Sequence, residues 1–248
     1  PSRRFELGGA LGARNSVRVV LLEEKMGLHG SPTCVVELDQ AEGYLVGAEN
    51  EGLRGIFHMV NAMRLEVASQ GPALAGAALA KSFDYAASRV QGGKPIGEHP
   101  DVRRMLLVMK AWTEGVRALV LQAALALDLA ASGQGADGQA AMDLAEWLLP
   151  IAKMIGSEIA VEIGNMAIQI HGGHGYVRDT GVEQYVRDAR ILPIYEGTSG
   201  IQAIDTLTRK LARDGGRRYS VFTDRVAADI EGLADRHELA GIREPLSE

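Results

Sequence analysis

Cysteine is almost missing from this chain: Cys34 is the only one in 248 residues. That excludes an internal disulfide and a multi-cysteine metal site, and it fits a reducing compartment such as the cytoplasm. Cys34 itself reads as a small buried hydrophobe in a strand. Positive charge is not in excess either, since 26 basic against 32 acidic residues leave a formal net charge of −6. No lysine or arginine block interleaves with aromatics, so nucleic acid is excluded as a partner. Long apolar runs are also scarce. The most apolar one, Ala118 to Ala131, is interrupted by Gln122 and Asp128 and falls short of the roughly 20 residues a bilayer-spanning helix needs, so no membrane span is expected. Neither a phosphate-loop nor a Gly-x-Gly-x-x-Gly dinucleotide-binding motif is expected. None of the six histidines has a glutamate three residues before it, which removes a di-iron carboxylate bundle.

With 46% hydrophobic residues, the chain can bury a sizeable core in one or two domains. Residues 1 to about 50 alternate strand-like runs, Val17 to Leu22 and Cys34 to Leu38, with glycine-rich turns. The period then becomes helical. A first helix is expected from about Gly52 to Arg89, kinked at Pro72, followed by a loop with Gly92, Gly93, Pro95 and Gly97. Pro100 suits the first turn of a second helix. Its seam is Val102, Met105, Met109, Trp112, Val116, Leu119, Ala123 and Leu127, at the alternating spacing of a packed bundle. Gly133 to Gly138 closes it. A third stretch, about Gln139 to Ile170, contains Pro150 and is expected to be kinked or divided there. A shorter helix is expected between Val182 and Arg187. The spacing of Ser199 and Gln202 predicts a capping box opening a last main helix, with Ile201, Ile204, Leu207 and Leu211 as its apolar face. The fold class read from these elements is mainly α, a four-helix up-down bundle preceded by a partial β domain. The domains expected are 1–50, the rear part of a β domain; 51–215, the bundle; and 216–248, the start of a C-terminal extension.

Two segments carry the chemistry. Gln169-Ile170-His171-Gly172-Gly173 ends the long helix in a glycine-dense turn, and Tyr195-Glu196-Gly197-Thr198-Ser199 follows Arg187-Asp188-Ala189-Arg190. The second run sets one carboxylate, Glu196, on a short loop facing a helix start, a place for a rigid general base or for a plain complement to the helix dipole. His171 and His174 invite a metal reading, yet without an acidic ligand nearby they are assigned none.

In this order, the two segments resemble the C-terminal half of the acyl-CoA dehydrogenase family, from roughly residue 15 to residue 215. The long branch of that family, which includes enzymes acting on methylthio-propanoyl-CoA, also has extra C-terminal sequence. The resemblance implies an FAD-dependent enzyme that removes hydrogen from the α and β carbons of an acyl-CoA thioester. Glu196 matches the family's α-proton base, and flavin is the hydride acceptor. Some relatives carry the base near the position of Met63, and methionine cannot serve. Arg89 matches an arginine that reaches the flavin dinucleotide's phosphates, commonly from a neighbouring subunit; it equally suits a solvated helix end. Gln91 and Gly92 stand where the family has threonine and phenylalanine. Gln169, Gly172 and Gly173 match the turn beside the cofactor's adenosine and phosphates, while Thr198, Ser199 and Gly200 match a flavin-contacting segment. Asn61 and Arg64 match positions near substrate, the asparagine replacing an aspartate. Gly197, beside the base, leaves room for the thioester.

The partners implied are an acyl-CoA substrate, an electron-transfer flavoprotein as electron acceptor, and other copies of the chain in a homodimer or homotetramer. Two alternatives stand beside this reading: an acyl-CoA oxidase-like enzyme, and a catalytically incompetent helical oligomerisation module. The chain opens at Pro1 inside strand-like sequence, and is expected to be a fragment without the family's N-terminal helical domain.

Overall fold

The computed structural model describes residues 3–5, 11–133, 135–233, 235–236 and 241. They fall into two compact units, Pro1–Val60 and Asn61–Glu248. In the first, strands β1 (Arg3–Phe5) and β2 (Leu11–Arg14) pair antiparallel, as do β3 (Val17–Leu22) and β4 (Cys34–Leu38). The β3–β4 register shifts between Val19 and Leu21, and Arg18 pairs with Glu37 across the strands. Val19, Val20, Leu21, Val35 and Val36 all lie exposed, so apolar side chains occupy both faces of this hairpin.

The second unit is built on long helices: α1 (Gly52–Ser88), which begins in the first unit, then α2 (Pro100–Ser132) and α3 (Gly135–His171). A short hairpin of β5 (Val90–Gln91) and β6 (Lys94–Pro95) joins the first two. Beyond α3 come a one-turn helix α4 (Gly173–Tyr176), α5 (Glu183–Ala189) and α6 (Ser199–Ile204). The last continues as a π-helical run, Asp205–Ala212, before α7 (Arg217–Gly232). The expected bundle is present, its fourth member being the α6–π run.

Alanine and glycine govern how closely α1 meets α3. The buried stripe of α1 is Val67, Ala68, Ala75, Ala78 and Ala86, at the three-to-four spacing of one helix face. Within it Gly71 lies against Gly156 of α3, and a Cβ on Gly71 would sit 2.2 Å from the Gly156 carbonyl oxygen. The backbones therefore touch. Around this crossing Met109, Val116, Ala152 and Ile163 form the main core.

Several expectations need revision. Of the two readings at Pro150 division is excluded, since α3 runs on through it, and Pro72 lies inside α1 as expected; packing on both sides holds a helix that has lost one backbone bond. The turn before α3 is shorter than Gly133 to Gly138, since the helix starts at Gly135. That stretch spells Gly-x-Gly-x-x-Gly, but it joins two helices rather than following a strand, so it lacks the context of a dinucleotide fingerprint. In α2 the buried seam takes Thr113, whose Oγ1 donates to the Met109 carbonyl at 2.7 Å, while Trp112 is 46% exposed. A 3.6-residue period places 113 inward where a 3.5-residue seam chose 112. Helix α2 is also long and apolar enough to cross a membrane by length and composition. This holds for the whole of Pro100–Ser132 and not for Ala118 to Ala131 alone, with Leu107, Leu121, Leu125 and Leu129 exposed along the helix.

Gly71→Ala tests the crossing. Replacing glycine inside a helix normally stabilises by about 0.5–1 kcal/mol, and Gly115→Ala, with open space at its Cβ position, is expected to raise the melting temperature accordingly. Gly71→Ala is expected to lower it, because the two backbones must separate.

Candidate functional site

The segment between α5 and α6 folds back against α3 and is tied at both ends. Tyr195 donates its hydroxyl to Gln70 Oε1 at 2.5 Å, and Ser199 N–H donates to the Pro193 carbonyl at 3.2 Å. Leu192 is fully buried with Val67, Ala160 and Ala189. Glu196 is half-buried and has φ +53°, a left-handed conformation that a residue with a side chain rarely adopts. Gly197 follows at φ +91°, where a Cβ would lie 2.6 Å from Gln202 Nε2. Only glycine fits there.

Two buried side chains hold this turn. Lys153, on α3 and 0% exposed, donates from Nζ to the carbonyls of Leu192 at 2.8 Å and Gly197 at 2.7 Å. Gln202, also 0% exposed, donates from Nε2 to the carbonyls of Glu196 at 3.2 Å and Gly197 at 3.1 Å. Burial brings the Lys153 pKa down to about 8, helped by the nearby Arg64 charge and opposed by Glu158 and Glu196. Arg64, Lys153, Glu158 and Glu196 thus share one electrostatic neighbourhood. Burial also raises the Tyr195 hydroxyl, against the bond to Gln70.

Arg64 sits in this neighbourhood but is used internally: Nη1 donates to Asp205 Oδ2 at 3.0 Å, with both side chains under 8% exposed. Arg209 reaches the other Asp205 oxygen at 3.4 Å. Asp205 and Gln202 point inward, whereas Ile201, Ile204 and Leu207 are 47–59% exposed. Of the expected apolar face, Ile201, Ile204 and Leu207 are therefore on the outer side, while Leu211 packs inward against the cluster of Ala123, Trp147 and Leu148. The polar face of the helix turns in because it closes a buried ion pair and the glutamine bonds. The cap is displaced by one residue as well. Thr198 Oγ1 accepts the Ile201 N–H at 3.3 Å, while Ser199 donates its hydroxyl to Glu158 Oε1. A cavity of about 430 Å³ opens beside them, lined by Glu158, Val161, Arg190, Pro193, Ile194, Thr198, Ser199 and Gly200.

The remaining predicted residues cluster elsewhere. Gly172, at φ +60°, and Gly173 are exposed, with open space where a Cβ would stand. Gln169 is exposed, and its carbonyl accepts the Gly172 N–H at 3.2 Å. His171 is buried, with Nδ1 2.7 Å from the Ala167 carbonyl oxygen and its ring stacked 4.2 Å from Tyr85. Burial lowers its pKa. His174 Nδ1 lies 3.3 Å from the Tyr85 hydroxyl. Arg89 and Gln91 are exposed, Arg89 one helical turn beyond Tyr85. The side chain of Asn61 lies outside the described residues. Lys153 and His171 stand 18 residues apart on α3, roughly 27 Å along its axis. One chain thus presents the Glu196 loop and the glycine turn as two separate clusters.

Comparison with known proteins gives a consistent result. Residues 50–211 match the family model described as acyl-CoA dehydrogenase, C-terminal domain. The chain is 48% identical over 230 residues to 3-methylmercaptopropionyl-CoA dehydrogenase of Ruegeria pomeroyi, covering 89% of this chain and 39% of that protein. It is 38% identical over 245 residues to a broad-specificity linear acyl-CoA dehydrogenase of Mycobacterium tuberculosis, covering 92% and 39%. Among solved structures, Caenorhabditis elegans ACDH-11 in complex with C11-CoA superposes with a TM-score of 0.85 at 28% identity, covering 92% of this chain and 38% of that one. The chain thus spans about two-fifths of the length of the curated relatives it matches.

Two outcomes test the buried polar groups. Asp205→Asn strands the Arg64 guanidinium and is expected to cost about 3–5 kcal/mol in urea unfolding. Lys153 binds fewer protons folded than unfolded between pH 8 and 10.5. Its unfavourable contribution is full below pH 8 and relieved as pH rises, so stability gains with pH in that window. In Lys153→Met that share of the pH dependence is expected to vanish.

Proposed function

Since the chain belongs to the acyl-CoA dehydrogenase family, we propose that it supplies the catalytic base and part of the flavin site of an enzyme that desaturates acyl-CoA thioesters. The observation that carries this reading is Glu196: a carboxylate in a strained left-handed turn, clamped through its own backbone, with glycine beside it. Strain of this kind persists only where surrounding structure enforces it, and it concentrates at working sites.

In the proposed reaction Glu196 takes the proton from the substrate's α carbon. That proton becomes acidic as negative charge gathers on the thioester oxygen, so donors fixed before substrate arrives do the most. The bare Cα of Gly197 leaves the acyl chain a close approach. Bound FAD would supply the hydride acceptor that no side chain provides. The residues present fit it: Gly172 and Gly173 expose backbone with nothing over them, and Thr198, Ser199 and Gly200 border the cavity beside α3. We assign Arg89, Gln91, Gln169, Gly172 and Gly173 to its adenosine and phosphate end, and Thr198, Ser199 and Gly200 to its flavin end. Because the two groups lie far apart on α3, a second copy of the chain is assigned to complete each site, in a homodimer or homotetramer. Arg64 is reassigned from substrate contact to holding Asp205. Asn61 keeps its assignment to the substrate on the family match alone.

The relatives named for 3-methylmercaptopropionyl-CoA and linear acyl-CoA support a thioester of small or linear acyl groups as substrate. Electron-transfer flavoprotein is the proposed electron acceptor, and the half-buried Cys34 supports a reducing compartment such as the cytoplasm.

Glu196→Gln in the full-length enzyme is expected to keep its bound flavin spectrum and to lose bleaching by acyl-CoA, with at least about a 10³-fold slower rate. Visible absorption under anaerobic mixing reads this directly. A variant that still bleaches at the parental rate refutes the assignment.

A further inference from the structure

We infer that Lys153 and Gln202 are positioning residues for the base, a buried two-sided clamp that fixes the orientation of Glu196 by holding three carbonyls of its loop. This rests on the reading of Glu196 as the α-proton base. The geometry is specific. Lys153 approaches from α3 and spans Leu192 and Gly197; Gln202 approaches from α6 and spans Glu196 and Gly197. The Gly197 carbonyl oxygen therefore accepts from both, using both of its lone pairs. Neither side chain reaches solvent, so water does not compete for these bonds.

One carbonyl lies upstream of the left-handed residue, one is its own and one follows it, and holding the last two fixes ψ of Glu196 and of Gly197. Without the clamp, a non-glycine residue at φ +53° relaxes toward the broad negative-φ basins, and its side chain swings with it. The charged groups facing Lys153 are Arg64 on α1, Glu158 on α3 and Glu196 itself. An ammonium has three N–H donors and an amine two, and the ammonium is bonded to two carbonyls. The clamp therefore holds in both protonation states, which sets it apart from a device that works through charge. Gln202 Oε1 is buried without a partner. The amide is thus oriented by its donor side alone, and exchanging that side for a carboxylate oxygen removes the contact without changing shape.

Two variants test this, Gln202→Glu, which is nearly isosteric, and Lys153→Met. In this chain, hydrogen exchange of the amides from Tyr195 to Thr198 is expected to quicken by at least about ten-fold in each, with α2 peptides unchanged. In the full-length FAD-loaded enzyme, flavin reduction at saturating acyl-CoA is expected to slow by roughly 10- to 100-fold. The acyl-CoA dissociation constant should stay within about three-fold, and the α-deuterium isotope effect should rise as proton removal limits the rate further. Should Lys153→Met fail to fold, Gln202→Glu carries the test. Parental exchange and parental reduction in Gln202→Glu overturn the clamp, as does a loss fully accounted for by weaker acyl-CoA binding. Glu196→Gln separates the two readings. If it reduces flavin normally, the base assignment falls and the clamp with it; if it is inactive while the clamp variants keep parental rates, the clamp alone falls.

Discussion

A lysine buried in the middle of a helical core sets the terms for everything near it. The Lys153 Nζ has no access to water, so its N–H groups need acceptors that the protein brings to it. Helical carbonyls are already committed to their own ladders, which leaves irregular backbone as the source. The segment from Arg190 to Thr198 meets that need by folding down onto α3 and offering the carbonyls of Leu192 and Gly197. The same logic seats the Arg64–Asp205 pair and turns the polar face of α6 inward. What looks like a helical bundle with a loop attached is better understood as a polar insert around which apolar helices are arranged.

That insert explains how a glutamate can occupy a conformation with φ +53°. For an L-residue this region costs roughly 1–2 kcal/mol, a small sum beside several buried hydrogen bonds made together. The small residues of α1 serve the same end, since the contact of Gly71 with Gly156 brings α1 close enough for Arg64, Gln70 and α3 to surround one loop.

Much of this was legible in the sequence. The long helices follow from their periodicity, and the Tyr195-to-Ser199 run with the paired glycines singles out, before any coordinates, the loop that carries Glu196. The parts missed share a cause: they depend on what lies across from a residue, not on its neighbours in sequence. Trp112 is apolar and correctly spaced for the seam, yet Thr113 takes the inward place, its methyl close to Gly76 of α1 and its hydroxyl bonded back to Met109. Ile201, Ile204 and Leu207 look like a core stripe, but Gln202 and Asp205 had buried partners waiting and the isoleucines did not. Lys153 escaped notice altogether. One signal was available: it is the lone basic residue on the stripe Leu149, Ala152, Lys153, Gly156, Ser157 and Ala160, where apolar or small residues otherwise prevail.

The β3–β4 hairpin carries a different lesson. A ribbon with valine and leucine exposed on both faces has lateral hydrogen-bonding groups ready to recruit further extended chain, which is how fibrillar aggregation starts. Its safeguards are modest: the shifted register at Val19 and Leu21, which twists the ribbon, and the opposed charges of Arg18 and Glu37. Aggregation of purified material is therefore expected to start at these few residues.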